Sequence, residues 1–372
     1  MFALELYRKL ARTPGNLFCS PYSVGAALAL LAGGAAGSTL AEIARALGVD
    51  DPVAVNERLV HELASRNDPK ARSEPADDEE VDSRTASSGV LMSVANALWY
   101  QRGYAIVPAY VEAMASRLAA SVQAVDFERD TAHTIELINE WAADATRRKI
   151  TKVLSILPPA TRVILANAIY MKARWRHQFS AYATQPKPFA TPREQINVPT
   201  MARTGAYQYA KLSAMEAIEI PYAGGKLAML VIVPQLGAIA EIERVVDVDR
   251  VASALTTRQV QLEMPKWKVE STFRLGETLG ELGIAHAFSG DADFTPMSAE
   301  RGFHVDEIVH KTYVDVDEKG TEAAAVTVMA MRGMAPRHDD VVKLQIDRPF
   351  LFAIRDLPTN TILFMGRVED PR

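Results

Sequence analysis

The order of its secondary-structure signals most constrains this chain: helical patterns crowd the first 150 residues and strand patterns dominate the rest, without regular alternation of the two. A chain with that layout cannot build a doubly wound parallel sheet, which needs a helix after each strand. It points to an α+β fold with large mixed or antiparallel sheets. Strand candidates are Leu91–Tyr100, Arg162–Lys172, Ala217–Pro221, Leu227–Pro234, Val260–Val269, Thr312–Asp317, Pro349–Arg355 and Thr361–Val368. They are rich in Val, Ile, Phe and Tyr, and some alternate cleanly, with Val260, Leu262 and Met264 against Gln261 and Glu263. Gly224-Gly225 reads as a hairpin turn.

Upstream, Ser20-Pro21 has the form of a helix N-cap followed by proline at the first helical position. Val24 to Ala36 reads as a buried helix, too short and too glycine-broken to cross a membrane. Thr39-Leu40-Ala41-Glu42 predicts a capping box, and Gly48 a helix end. Apolar residues recur at helical spacing over 105–122 and 134–148; in the second, Ile135, Ile138, Trp141, Ala142 and Ala145 form one stripe. Residues 65–89 are dominated by Asp, Glu, Ser, Pro and Arg, and read as a charged surface loop.

Catalytic signatures are missing. No serine sits in a G-x-S-x-G elbow, and Gly33 to Ser38 lacks the lysine of a phosphate loop and the spacing of a dinucleotide loop. The seven histidines form no H-E-x-x-H pair; His304 and His310 at most share a strand face, and no metal site is expected. The single cysteine, Cys19, excludes an intrachain disulfide, and its apolar flanks predict a buried, inert thiol. A net charge of −5 favours neither nucleic acid nor an anionic membrane. The first residues lack a signal peptide's layout, so the chain reads as cytoplasmic or already trimmed.

One segment is unusual. Read as a strand from Thr321, the chain puts Thr321, Ala323, Ala325, Thr327, Met329 and Met331 on one face, all uncharged, small first and bulkier later. Glu322, Ala324, Val326, Val328, Ala330 and Arg332 take the other face and both charges. Such a strand suits insertion into a sheet over a core; left permanently exposed it is an aggregation hazard.

Six blocks, in order along the whole chain, carry a family resemblance. Val314 to Ala325 closely resembles the hinge of inhibitory serpins, and Asp347 to Ile354 with Leu363 to Val368 their C-terminal strands. Asn16 to Ser23, Asn167 to Trp175, and Met264-Pro265-Lys266 with Leu282-Gly283-Ile284 are similar to further serpin blocks. The resemblance, to a prokaryotic-type member without disulfides, implies one domain over 1–372 with three β-sheets, eight or nine helices and an exposed reactive-centre loop at 318–341. It implies a monomer, without cofactor, that inhibits a serine protease as a suicide substrate; a carrier or chaperone role is the alternative. The hinge (Gly320, Thr321, Glu322, Ala323, Ala324, Ala325) is mostly small and flexible, which favours inhibition. The resemblance also implies a "shutter" of Ser20, Ser23, Asn167 and His310, and a "breach" of Trp175, Lys266 and Glu318. Counting from Glu318 places the attacked bond at Met334–Ala335, suiting an elastase-, chymotrypsin- or subtilisin-like enzyme. Arg332 and Arg337 are rival positions for a trypsin-like one. The acids at 77–80 argue against a heparin site, and the family favours secretion.

Overall fold

The structure, a computed structural model, describes residues 2–67, 89–158, 160–300, 302–321 and 341–372. The described residues form two hydrogen-bonded sheets around a buried helix. The larger sheet contains β1 (Leu17–Cys19), β5 (Gln185–Ala190), β6 (Gln195–Lys211), β7 (Met215–Pro221), β8 (Leu227–Pro234), β9 (Thr256–Pro265), β13 (Val341–Gln345), β14 (Phe350–Asp356) and β15 (Thr361–Val368). Its order is β1-β15-β14-β8-β7-β6-β9-β13, with β5 also paired to β6. The smaller sheet has β2 (Val90–Gln101), β3 (Ser121–Val125), β4 (Val163–Arg174), β10 (Trp267–Arg274), β11 (Glu307–Val316) and β12 (Gly320–Thr321), in the order β10-β11-β12-β4-β2-β3. Three sheets were implied; two of them join here because β6 runs unbroken for 17 residues, pairing β5 over 195–200, β9 over 200–209 and β7 over 208–211.

Nine α-helices lie among the described residues: α1 (Phe2–Leu10), α2 (Pro21–Ala32), α3 (Gly37–Leu47), α4 (Pro52–Ala64), α5 (Pro108–Leu118), α6 (Thr131–Ala145), α7 (Ile239–Val245), α8 (Val248–Ser253) and α9 (Gly276–Glu281). Every residue of α2 is buried, which explains an apolar run without amphipathic relief. Ser20 caps it as expected, its Oγ accepting from Ser23 N–H at 3.1 Å. Cys19 is fully buried, and burial pushes its thiol pKa up, so it is an unreactive core residue. Gly224 and Gly225 both have positive φ and turn β7 into β8.

Three local readings are corrected. Val260–Val269 is not one strand: it breaks at Lys266, whose N–H bonds Pro199 O, with β9 in the larger sheet and β10 in the smaller. Thr39 and Glu42 form no capping box, because α3 already starts at Gly37. Their side chains instead accept bonds from distant backbone, Thr39 from Asp293 N–H and Glu42 from the N–H groups of Ala285 and His286. His304 precedes β11, so it shares no strand face with His310. Residues 68–88, nearly all of the charged loop, lie outside the described residues.

Candidate functional site

Two polar groups mark the smaller sheet, one at its centre and one at its upper end. At the centre, Asn96, Asn167 and His310 are register partners on β2, β4 and β11. His310 Nδ1 meets Asn167 Oδ1 at 2.6 Å, and Ser20 N–H points at His310 Nε2 at 3.0 Å. An amide oxygen can only accept and a backbone N–H can only donate, so His310 is the neutral Nδ1–H tautomer. Asn167 Nδ2 donates to Ser23 Oγ at 2.5 Å and to Asn96 Oδ1 at 2.6 Å; Ser20 Oγ donates to Leu363 O at 2.5 Å. Ser20, Ser23, Asn167 and His310 are fully buried, so the four residues singled out in the sequence meet in one network that ties β4 and β11 to the N-terminus of α2. Sequence reasoning missed Asn96; an amide among the apolar residues of its strand was the available signal.

Burial lowers the His310 pKa to about 3, from 6.5. The sign follows: the unfolded chain binds a proton that the folded one refuses, so this stability is full above pH 6.5 and is lost as pH falls through that value toward 3. The loss reaches about 2 kcal/mol by pH 5. Denaturant titrations at pH 7 and pH 5 should show it, and His310→Gln should lack that part of the drop.

At the upper end, the chain leaves β11 through a tight turn. Asp317 Oδ1 accepts the N–H groups of Lys319 and Gly320, and burial raises the Asp317 pKa. Glu318 lies 2.9 Å from Lys266 Nζ and accepts from Thr184 Oγ1 at 2.8 Å. Burial pushes the Glu318 pKa up, but those partners outweigh it and the net shift is downward. Trp175 stacks on Tyr222 at 4.6 Å, donates Nε1–H to Asp317 O at 2.9 Å, and takes Lys319 O on its own N–H. Trp175, Lys266 and Glu318 thus converge on one place, where the segment 318–321 enters the sheet.

That entry is a wedge. Lower down, β4 and β11 pair directly and parallel, from Ile164 with Glu307 to Ile169 with Thr312. Above, Gly320 and Thr321 sit between them, antiparallel to both: Gly320 opposite Arg174, and Thr321 opposite Ala173 on one side and Val316 on the other. A Cβ on Gly320 would lie 2.0 Å from Ala173 O, so no side chain fits. Thr321 faces inward, 2% exposed, with its hydroxyl 2.6 Å from Tyr222 OH. Glu322, Ala323, Ala324, Ala325, Arg332, Met334, Ala335 and Arg337 lie outside the described residues.

Comparison with known proteins finds relatives that match over essentially the whole chain. The family model described as "Serpin (serine protease inhibitor)" matches residues 1–371. A serpin-like protein of Thermococcus kodakarensis is 33% identical, covering 100% of this chain and 84% of its own. The leukocyte elastase inhibitor of Sus scrofa is 29% identical, covering 100% and 97%. Among solved structures, a thyroxine-binding globulin complex with thyroxine superposes with a TM-score of 0.85 at 27% identity, covering 100% of this chain and 97% of that one.

Proposed function

The chain belongs to the serpin family, and we propose that it is a single-use inhibitor of serine proteases whose cleaved loop becomes a new strand between β4 and β11. The observation that carries this reading is the wedge of Gly320 and Thr321, already seated antiparallel between two strands that are parallel to each other. A strand continuing from it would replace one parallel pairing with two antiparallel ones, the more stable arrangement per residue.

The register of the wedge fixes where such a strand would go. Carried down from Thr321, it sets Ala330 opposite Glu307 at the foot of β11 and Met331 opposite Val163 at the foot of β4. Ala323 falls between Met171 and Val314, and Met329 between Leu165 and Ile308, all partners that face the core. Thr327 falls between Asn167 and His310. Insertion must part the hydrogen bond between those two, and a hydroxyl can both donate and accept, so the one polar residue in the middle of the inserting face meets the polar cluster. The opposite face brings Val326 and Val328 beside Ala168, Ala166 and Val309, in the apolar layer that includes Ile138 and Ala142 of α6. About ten new ladder hydrogen bonds at ~1 kcal/mol each, plus the apolar burial, make the step strongly downhill. It would carry the cleaved end about 3.3 Å per residue along the sheet, with the protease attached as an acyl-enzyme.

Met334 is the attacked residue in this reading, just beyond the stretch the two strands can pair, with Ala335 leaving. An elastase-, chymotrypsin- or subtilisin-like target is favoured, and the inhibitor from Sus scrofa, named for leukocyte elastase, supports that preference. Denaturing gels after mixing with elastase, chymotrypsin, subtilisin and trypsin separately test it. A gel-stable complex with release of a peptide starting at Ala335 is expected. A peptide starting at Gly333 or His338 would move the bond to Arg332 or Arg337. Cleavage by all four without a complex would leave the family fold and remove the inhibitory role, favouring a carrier in the manner of thyroxine-binding globulin.

A further inference from the structure

The turn that carries the chain from β11 into the wedge has its carbonyls satisfied without help from the loop beyond it. Asp317 O accepts Trp175 Nε1–H at 2.9 Å, Glu318 O accepts Phe179 N–H at 2.8 Å, and Lys319 O accepts Trp175 N–H at 2.7 Å. Gly320 O accepts Asp317 N–H at 3.0 Å, so all four carbonyls of 317–320 are taken. Three of these bonds come from the segment 175–179. That segment is itself tied to the hairpin of β7 and β8, through Arg176 N–H on Pro221 O and Ala223 N–H on Arg174 O.

Two N–H groups of the turn depend on one side chain. Asp317 Oδ1 accepts Lys319 N–H at 2.8 Å and Gly320 N–H at 3.2 Å. Asp317 therefore grips Gly320 at both backbone groups, the N–H by its carboxylate and the carbonyl by its own N–H. Only a side chain as short as Asp or Asn places an acceptor oxygen there. Glu318, the next residue, spends its carboxylate on Lys266 and Thr184 instead. Asp317 shapes the turn and Glu318 fastens it. Gly320 is buried, so without the Asp317 carboxylate its N–H becomes an orphan donor, and moving the segment out to water relieves it.

We propose that Asp317 is a positioning residue for loop insertion: it seats Gly320 and Thr321 between β4 and β11 before any bond is cut. This rests on the inhibitory reading above. The seat delivers the pairing of Gly320 and Thr321 with Arg174 and Ala173, and the Thr321 hydroxyl 2.6 Å from Tyr222 OH. A strand growing from a seated end adds its bonds one residue after another. One that must first find the gap orders several residues before any bond rewards it. Hydrolysis of the acyl-enzyme competes against that delay.

The test compares wild type, Asp317→Ala and Asp317→Asn against the protease that the wild type traps. Asp317→Ala should consume about fivefold or more inhibitor per protease trapped. Its loop should still be attacked at the wild-type rate, because the scissile bond lies outside the turn. Asp317→Asn, whose amide oxygen can accept the same two N–H groups, should return consumption to within about twofold of wild type. A residue serving only the fold would lower the thermal midpoint and leave consumption unchanged; that result overturns the proposal, as does an Asn variant as poor as Ala. Hydrogen exchange of the amides at 319–321 is read on the same proteins without protease. It should quicken about tenfold or more in Asp317→Ala and not in Asp317→Asn. Unchanged exchange in Asp317→Ala overturns the seating whatever the protein inhibits. A wild type that traps no protease overturns the inhibitory reading instead, with the seating still decided by exchange.

Discussion

Gly320→Ala should turn the protein from a trap into a substrate: cleaved at its loop by the target protease, but yielding little or no gel-stable complex. The added methyl would meet Ala173 O at 2.0 Å, a backbone atom that cannot step aside without breaking the pairing of β4 with β2. The segment 320–321 must then leave the wedge, taking with it the Thr321 contact to Tyr222. Insertion would have to start from a loop outside the sheet, and deacylation, a competing first-order step, would win. The number of inhibitor molecules consumed per protease trapped should rise by about tenfold or more, since roughly 1.4 kcal/mol on one branch of such a competition already shifts it tenfold. Thr321→Ala, which removes the hydroxyl and the γ-methyl but adds nothing that Ala173 O must avoid, should have a far smaller effect. An unchanged stoichiometry in Gly320→Ala would mean that the wedge plays no part in insertion.

Asn167→Ala should produce the largest loss of stability of any single change considered, about 3–5 kcal/mol in the intact protein. It empties the centre of a fully buried network, leaving His310 Nδ1–H, Ser23 Oγ and Asn96 Oδ1 without that partner. The cost should be clearly smaller in the loop-cleaved protein, where Thr327 would lie between β4 and β11 and offer His310 a hydroxyl in place of the lost amide. Thermal unfolding of both forms of both proteins reads the difference. An equal loss in intact and cleaved forms would mean that Thr327 does not reach the cluster.

Those two residues also show what the amino-acid sequence can carry. Ser20 announces itself locally, as an N-cap before proline, and the structure finds it in that role. Asn167 and His310 are 143 positions apart, and no periodicity joins them. Their meeting depends on a parallel pairing of β4 with β11, a tertiary fact that came into view only through the family resemblance. The same limit explains the misread capping box. Thr39 and Glu42 have the right spacing, but backbone N–H groups from the segment 285–293 reach those oxygens, and local signals cannot foresee that competition. β6 was missed because Thr, Gly, Ala and Gln occupy much of it, and its β-character comes from neighbours on both sides. The break at Lys266 did leave a signal: the apolar positions change phase there, from Val260, Leu262 and Met264 to Trp267 and Val269, as the chain changes sheets. Asn96 stands out as an amide among the apolar residues of its strand, but the bond from Asn167 that gives it its place crosses between strands, which a linear pattern does not encode.

The most direct test of the central claim, that the gap between β4 and β11 accepts the cleaved loop as a strand, is the thermal unfolding midpoint before and after a catalytic amount of protease cuts the loop. With ten or so new ladder bonds and the inserted apolar face buried, the account predicts a rise of about 10 °C or more, both fragments remaining associated. A cleaved protein that melts at the same temperature as the intact one, or below it, would contradict the account.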